Sequence, residues 1–292
     1  MFFHRQIFHR VVSPAVSTVF NTDRSRHGAG ISVAMSQPAA ALHPEEIPFY
    51  GQFGEDRKLA EIFHGKRDGT CVDVGAHNGV DSSNSYHFEQ VGWHCVLVEA
   101  NPHNWPTLRS IRKRSQVFEC AAAEESGTLT LCVPAEDAYS TVSTQRRDQN
   151  RLLTVGGPIS AVAVPARSLD SILAEAGIAN ADFVSVDVEG YEMAVLRGFS
   201  IDRWKPRVLV VEDNGDPAVF RWMRDRGYEA FDYTGCNVWF ARGDDAKLVN
   251  MRSAMRILGI LALKRGVAHW RRATRPLKNA VKGLLGRPIV RI

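Results

Sequence analysis

The chain has 292 residues, 45% of them hydrophobic and 23% charged, which is ordinary globular composition and long enough to bury a full core. No apolar run approaches the roughly 20 residues that a membrane-spanning helix needs. The net charge of +4 is unevenly spread: residues 246–292 hold 12 Lys and Arg and no Asp or Glu, so they carry +12 and residues 1–245 carry −8. Cys71, Cys95, Cys120, Cys132 and Cys236 are odd in number and lack CxxC spacing. They read as reduced core thiols of a cytoplasmic protein rather than a disulfide framework.

Residues 1–42 carry Arg5, Arg10, Arg24 and Arg26 against one acid, Asp23, without sustained apolar periodicity. They read as a disordered extension, either an Arg-rich targeting segment or a stretch ahead of a true start at Met35. A regular pattern begins at Tyr50. Helices are expected over Asp56–Phe63, Ser82–Val91, His103–Arg114, Leu169–Ala176, Glu192–Gly198 and Pro217–Arg226. Strands are expected at Thr70–Val74, Cys95–Val98, Gln116–Ala121, Phe183–Val186 and Val208–Val211, with added β segments at Leu129–Val133 and Ser160–Val164. Tyr228–Asp232 and Asn237–Ala241 read as a closing antiparallel pair. This alternation predicts an α/β fold over residues 43–245: a mostly parallel sheet with helices on both faces. Residues 246–292 form a separate basic tail in which Leu248, Met251, Met255, Leu258 and Leu261 recur at helical steps.

Ligands of such sheets sit beyond the carboxyl ends of the strands. The first strand runs into Asp73-Val74-Gly75-Ala76-His77-Asn78-Gly79, where two glycines allow a tight turn and close backbone approach. The three-glycine pyrophosphate fingerprint is absent. Asp73 would repel a pyrophosphate and attract the ammonium of an amino-acid cofactor. Glu99 ends the second strand 26 residues after Asp73, where an acid can accept the hydroxyls of a ribose.

Taken together, several stretches resemble the FkbM-type methyltransferases, a branch of the Rossmann-like enzymes that use S-adenosylmethionine. They are Gln52–Asp56, Cys71–Gly79, Ser83-Asn84-Ser85, Gly92-Trp93, Val98–Pro102, Ser168–Asp170, Val186–Glu192, Val195–Phe199 and Gly227-Tyr228. The resemblance spans about Tyr50 to Ala241 and rests on order and spacing more than on any single motif. It implies a Rossmann-like methyltransferase fold with S-adenosylmethionine as cofactor. Asp73, Gly75 and Gly79 would line the methionine end, Glu99 would hold the ribose, and Gln52 and Asp56 would help close the pocket. Asn78, Asn84 and Asn101 fall in the same motifs and complete the expected cofactor set. His77 departs from the family, which more often has Asn there.

A hydroxyl acceptor on a sugar, glycan or related natural product needs help to lose its proton. Asp187 and Glu189, after the fourth strand, are the expected catalytic pair, since carboxylates two residues apart can share a cleft and raise one pKa. Asp187, Glu212 and Asp213 form an alternative all-oxygen set for a magnesium-like divalent metal. His87, His94 and His103 are further bases, the first two on or after the helix expected over Ser82–Val91. The polar, Gly-rich stretch Glu136–Pro158 is a candidate substrate lid. Two other functions compete. A nucleic-acid methyltransferase would use the basic tail, against the net acidic core. A nicotinamide-dependent oxidoreductase shares the sheet but not Asp73 or the missing glycine. The tail also suggests peripheral contact with the inner face of a membrane.

Overall fold

The computed structural model describes residues 47–134, 140–142, 157–213 and 216–264, all within one compact unit, Leu42–Ile292. The expected segment 1–42, most of the expected lid and the tail beyond residue 264 lie outside the described residues.

In chain order the strands are β1 (Thr70–Val74), β2 (His94–Glu99), β3 (Gln116–Glu119), β4 (Ala121–Ala123), β5 (Gly127–Val133), β6 (Ser160–Ser168), β7 (Phe183–Val186), β8 (Val208–Glu212), β9 (Tyr228–Thr234) and β10 (Asn237–Arg242). The helices are α1 (Glu55–Ile62), α2 (Tyr86–Gln90), α3 (Trp105–Ile111), α4 (Leu169–Glu175), α5 (Glu192–Arg197), α6 (Ile201–Trp204), α7 (Pro217–Arg224) and α8, residues 251–264. Seven strands form one sheet in the order β3-β2-β1-β7-β8-β10-β9. The first five are parallel and β10 runs antiparallel to both β8 and β9. This is the α/β architecture expected from the alternation of elements.

Each face of the sheet carries its own core. On one side Val72, Val74, Val184, Val186, Leu209 and Val211 pack against α4, α5, α6 and α7. On the other, Cys71, Leu97, Phe183, Val208 and Val210 meet Leu59, Phe88 and Leu108 from α1, α2 and α3. Alternate residues of one strand thus feed opposite cores, which is why these strands are apolar throughout. Each fully buried Val contributes about 1.5–3 kcal/mol over leaving it in water.

Three boundaries differ from the sequence expectation. The run Gln116–Ala121 is not one strand: the chain leaves the main sheet after Glu119 and re-pairs at Ala121 in a second sheet of order β4-β6-β5. The helix expected from Ser82 starts only at Tyr86, because Ser83 Oγ accepts the backbone N–H of Ser85 (3.3 Å) and of Tyr86 (3.1 Å), forming a local turn instead. The helix expected over His103–Arg114 spans only Trp105–Ile111, and Arg112, at its C-terminal cap, is buried. Its Nε donates to Glu89 Oε2 (2.7 Å) and its Nη1 to the carbonyl of Gly79 (3.1 Å), so the charge is paired inside the fold.

Candidate active site

The parallel strands aim their carboxyl ends at one edge of the sheet, and the loops leaving β1, β2 and β7 meet there. Gly75 turns the chain out of β1 at φ +92°, a conformation that suits glycine. Its N–H donates to the carbonyl of Val98 (2.9 Å), and Asp187 N donates to the carbonyl of Val74 (2.9 Å). A Cβ at position 75 would stand 1.8 Å from the carbonyl oxygen of Asp187. The glycine is therefore required by the backbone of β7's loop, not only by its own turn.

These loops enclose a cleft of about 570 Å³, part of it open to solvent. Part of its lining is apolar, with Ala100, Cys120, Ala121, Ala122, Leu131 and Val142, and part is polar, with His77, Glu99, Asp187, Glu189 and Tyr191. Glu99 Oε2 accepts the His77 N–H (2.7 Å), and its Oε1 accepts the Asn101 N–H (2.7 Å) and Asn104 Nδ2 (3.4 Å). Burial pushes the Glu99 carboxyl up, and those three donors pull against it. A carboxylate oxygen has two lone-pair sites, so Glu99 retains acceptor capacity toward the cleft.

The polar part of the lining concentrates negative charge. Asp187, Glu189 and Glu212 each bring one carboxylate oxygen to within 4.8 Å of the others. Protein packed around Asp187 strips water from its charged form, and Glu212, Glu189 and Glu192 add like charge. Together they hold its carboxyl well above the usual range, although the open cleft still wets it. Glu189 sits at φ +54° and His77 at φ +50°. Non-glycine residues held in that region concentrate at functional sites, and both line this cleft. Glu192, the first residue of α5, accepts the N–H groups of Val188 (3.3 Å) and Gly190 (2.9 Å) with its Oε1 and so ties down the loop that carries Glu189.

The sequence-expected residues divide into two groups. Gly75, Glu99, Asp187 and Glu189 line the cleft. Asp73 lies beneath it, buried, and accepts Ser85 Oγ (2.7 Å), which in turn accepts Arg112 Nη2 (3.1 Å). Burial raises the Asp73 carboxyl while Ser85 and Arg112 oppose that. Gly79 makes its close approach to α3: a Cβ there would stand 2.6 Å from Leu108 Cδ1. Asn78 Oδ1 accepts the N–H groups of Val80 and Asp81 and shapes the turn. Asn84 Nδ2 donates to Ser185 Oγ (3.0 Å), tying α2's approach to β7. Asn101 Nδ2 reaches Ser140 Oγ at 3.4 Å, on the cleft's rim. Gln52 is exposed, and Asp56 is buried, holding the turn before α1 by accepting the N–H groups of Tyr50 and Arg57.

Of the acids considered for a metal, Asp187 and Glu212 lie together with Glu189, whereas Asp213 accepts Tyr233 Oη (2.9 Å) and Lys264 Nζ (2.8 Å). His87 stacks on Phe49 and its Nδ1 contacts the carbonyl of Pro48 (3.1 Å), away from the cleft. Sequence reasoning missed the apolar wall at Cys120–Ala122; Ser140 and Tyr191, which also line the cleft, fall in the expected lid Glu136–Pro158 and in the family stretch Val186–Glu192. The wall had a signal, since it directly follows the third strand. Thr141 bridges to Cys132, and its Oγ1 donates to the carbonyl of Glu189 (2.8 Å).

Residues 73–230, more than half of the chain, match the family described as Methyltransferase FkbM domain. Among solved structures the chain is similar to a methyltransferase FkbM from Methylobacillus flagellatus KT, at 16% identity and a TM-score of 0.43 over 68% of this chain and 50% of that one. The chain thus spans half the length of that relative. It is also similar to precorrin-6y C5,15-methyltransferase from Geobacter metallireducens GS-15 (11% identity, TM-score 0.35, 70% of this chain and 97% of that one). A third similarity is to the 1,6-didemethyltoxoflavin-N1-methyltransferase of Burkholderia thailandensis, solved with S-adenosylhomocysteine (12%, TM-score 0.33, 65% and 79%). No curated protein matches this chain by sequence. With its glycine turn, its strand-end Glu99 and its matched span of 73–230, the chain belongs to the FkbM methyltransferase family.

Proposed function

We propose that the protein transfers a methyl group from S-adenosylmethionine to a hydroxyl oxygen of a sugar, glycan or related natural product. The observation that carries this reading is the mixed lining of one cleft: an apolar wall, the strand-end Glu99 and a carboxylate cluster around Asp187. The residues present fit the cofactor. Ala100, Cys120, Ala121 and Ala122 offer a surface for a flat base, Glu99 an acceptor for ribose hydroxyls, and Gly75 and His77 the backbone approach for the amino-acid end. When bound, the cofactor supplies an electrophilic methyl group.

The chain's own residues then have two tasks. The first is to hold an acceptor oxygen close to that methyl and in line, which is the larger share of such catalysis. The second is to take the hydroxyl proton. Asp187 suits this because its raised carboxyl is a stronger base, once ionised, than an ordinary aspartate. Glu189 and Glu212 each bring a carboxylate oxygen to within 4.8 Å of it. A nitrogen acceptor, as on a nucleic acid, needs less help from a base, and the acidic cleft would repel a phosphate backbone. Binding of S-adenosylhomocysteine, together with methylation of saccharide acceptors, tests the proposal.

The three-carboxylate arrangement also favours a second reading, in which Asp187, Glu189 and Glu212 hold a divalent cation. Hard cations of the magnesium type take such oxygen ligands together with water. A location in the cytoplasm accords with five free cysteines.

A further inference from the structure

Helix α8 packs with one face only. Ile257 is buried, and Ser253, Ile260 and Leu261 are half-buried against the domain. Two ion pairs fix it there: Arg256 Nη1 to Asp232 Oδ1 (2.9 Å) and Lys264 Nζ to Asp213 Oδ2 (2.8 Å). Turned the other way are Met251 (74% exposed), Met255 (59%) and Leu258 (67%), followed by Ala262. These positions step by four, three and four, so they form one stripe within about 60° of arc. Leu263, 70% exposed, lies beside it. Solvent-facing helix positions are ordinarily polar. No helix among the described residues is long and apolar enough to cross a membrane.

We infer that this stripe is a docking surface for the face of an anionic lipid bilayer. Charge selects the occupant. The stripe lies in the segment 246–292, which carries +12 with no acid, on a chain whose other residues sum to −8. Arg252 flanks the stripe, whereas Arg256 and Lys264 are spent holding the helix to the domain. An anionic surface therefore attracts this segment and repels the rest of the chain, which sets the orientation. Apolar side chains entering the headgroup boundary beneath flanking basic residues is the binding mode of interfacial helices. The inference does not depend on methyl transfer, since it concerns a surface outside the cleft.

Flotation of the full chain with vesicles tests it. Vesicles of phosphatidylcholine with phosphatidylglycerol at low salt should carry the protein upward, and pure phosphatidylcholine vesicles should leave it behind. The double variant Met255→Asp, Leu258→Asp should keep the wild-type melting curve, because both positions face solvent, and should lose vesicle binding by about tenfold or more. A wild-type protein that stays in the soluble fraction overturns the inference. So does a double variant that floats like wild type, because charge alone would then account for binding. Concentration-dependent dimers that the double variant abolishes, without vesicle binding, would assign the stripe to a second copy of the chain and overturn it too.

Discussion

The carbonyl oxygen of Asp187 occupies the place where a side chain on Gly75 would begin: a Cβ there would stand 1.8 Å away. The turn that leaves β1 and the loop that leaves β7 are thus fitted to each other, which joins the expected cofactor turn to the expected catalytic loop. Gly75→Ala should disturb both. It combines the clash with φ +92°, so a loss of about 2 kcal/mol or more in stability is expected. Binding of S-adenosylhomocysteine should fall at least about 100-fold, a shift of about 2.8 kcal/mol. Gly54→Ala is the control: φ is +80° but the space is open, so only the conformational cost of about 1–2 kcal/mol applies and binding should persist. Chemical denaturation and titration calorimetry read both quantities.

Glu99 organises three donors as well as facing the cleft, so its removal leaves the N–H groups of His77 and Asn101 and the amide of Asn104 without their acceptor. Each such group costs about 1–3 kcal/mol if it finds no other partner. Glu99→Ala should weaken S-adenosylhomocysteine binding by more than about tenfold, whereas Glu99→Gln, which keeps one acceptor oxygen, should lose less. Equal affinity in wild type and the Ala variant would remove the ribose role.

Asp187→Asn and Glu189→Gln should each lower turnover by about 10²-fold, the scale of lost general acid–base catalysis, with cofactor affinity retained. A base must be ionised to act. Because Asp187 is held above the usual carboxylate range, kcat/KM should rise with pH through its folded value and flatten above it. The Asn variant should lose that limb. Full activity in both variants would dismiss the pair as catalytic.

The same carboxyl makes stability depend on pH. A group whose folded pKa is raised binds its proton more tightly when folded. Its stabilising contribution is full below the unfolded value of about 4 and is lost as pH rises through the folded value. Asp187→Asn should therefore melt above wild type at alkaline pH, with the difference closing as pH falls toward about 4. A variant less stable than wild type at every pH would show that the Asp187 side chain holds the loop together instead.

If Asp187, Glu189 and Glu212 hold a divalent ion, a chelator should abolish turnover and magnesium should restore it. Turnover indifferent to the chelator would leave Asp187 acting as a base alone.

Much of this was legible in the sequence for a physical reason. Val208–Val211 and Phe183–Val186 are buried on both faces, so an unbroken apolar run announces them. Gly75 and Glu99 were legible because a strand end in a parallel sheet fixes where the next residues point. The two-sheet break at Cys120 was not, since nothing in Gln116–Ala123 marks a change of partner. Asp73 and Gly79 show a subtler limit. Their positions suit a ligand contact, yet Ser85, Arg112 and Leu108 arrive from distant elements to take those places. Sequence spacing records which strand end a residue occupies, but not which neighbour fills the space beside it.

The most direct test of the central claim uses S-adenosylmethionine with a deuterated methyl group, incubated with the protein and a panel of saccharides and glycolipids. Mass spectrometry with fragmentation locates the label. The account predicts label on a hydroxyl oxygen of a sugar-containing product, lost in Asp187→Asn while S-adenosylhomocysteine still binds. Label on nitrogen or carbon, or a chain that binds nicotinamide dinucleotide and not S-adenosylhomocysteine, would contradict it.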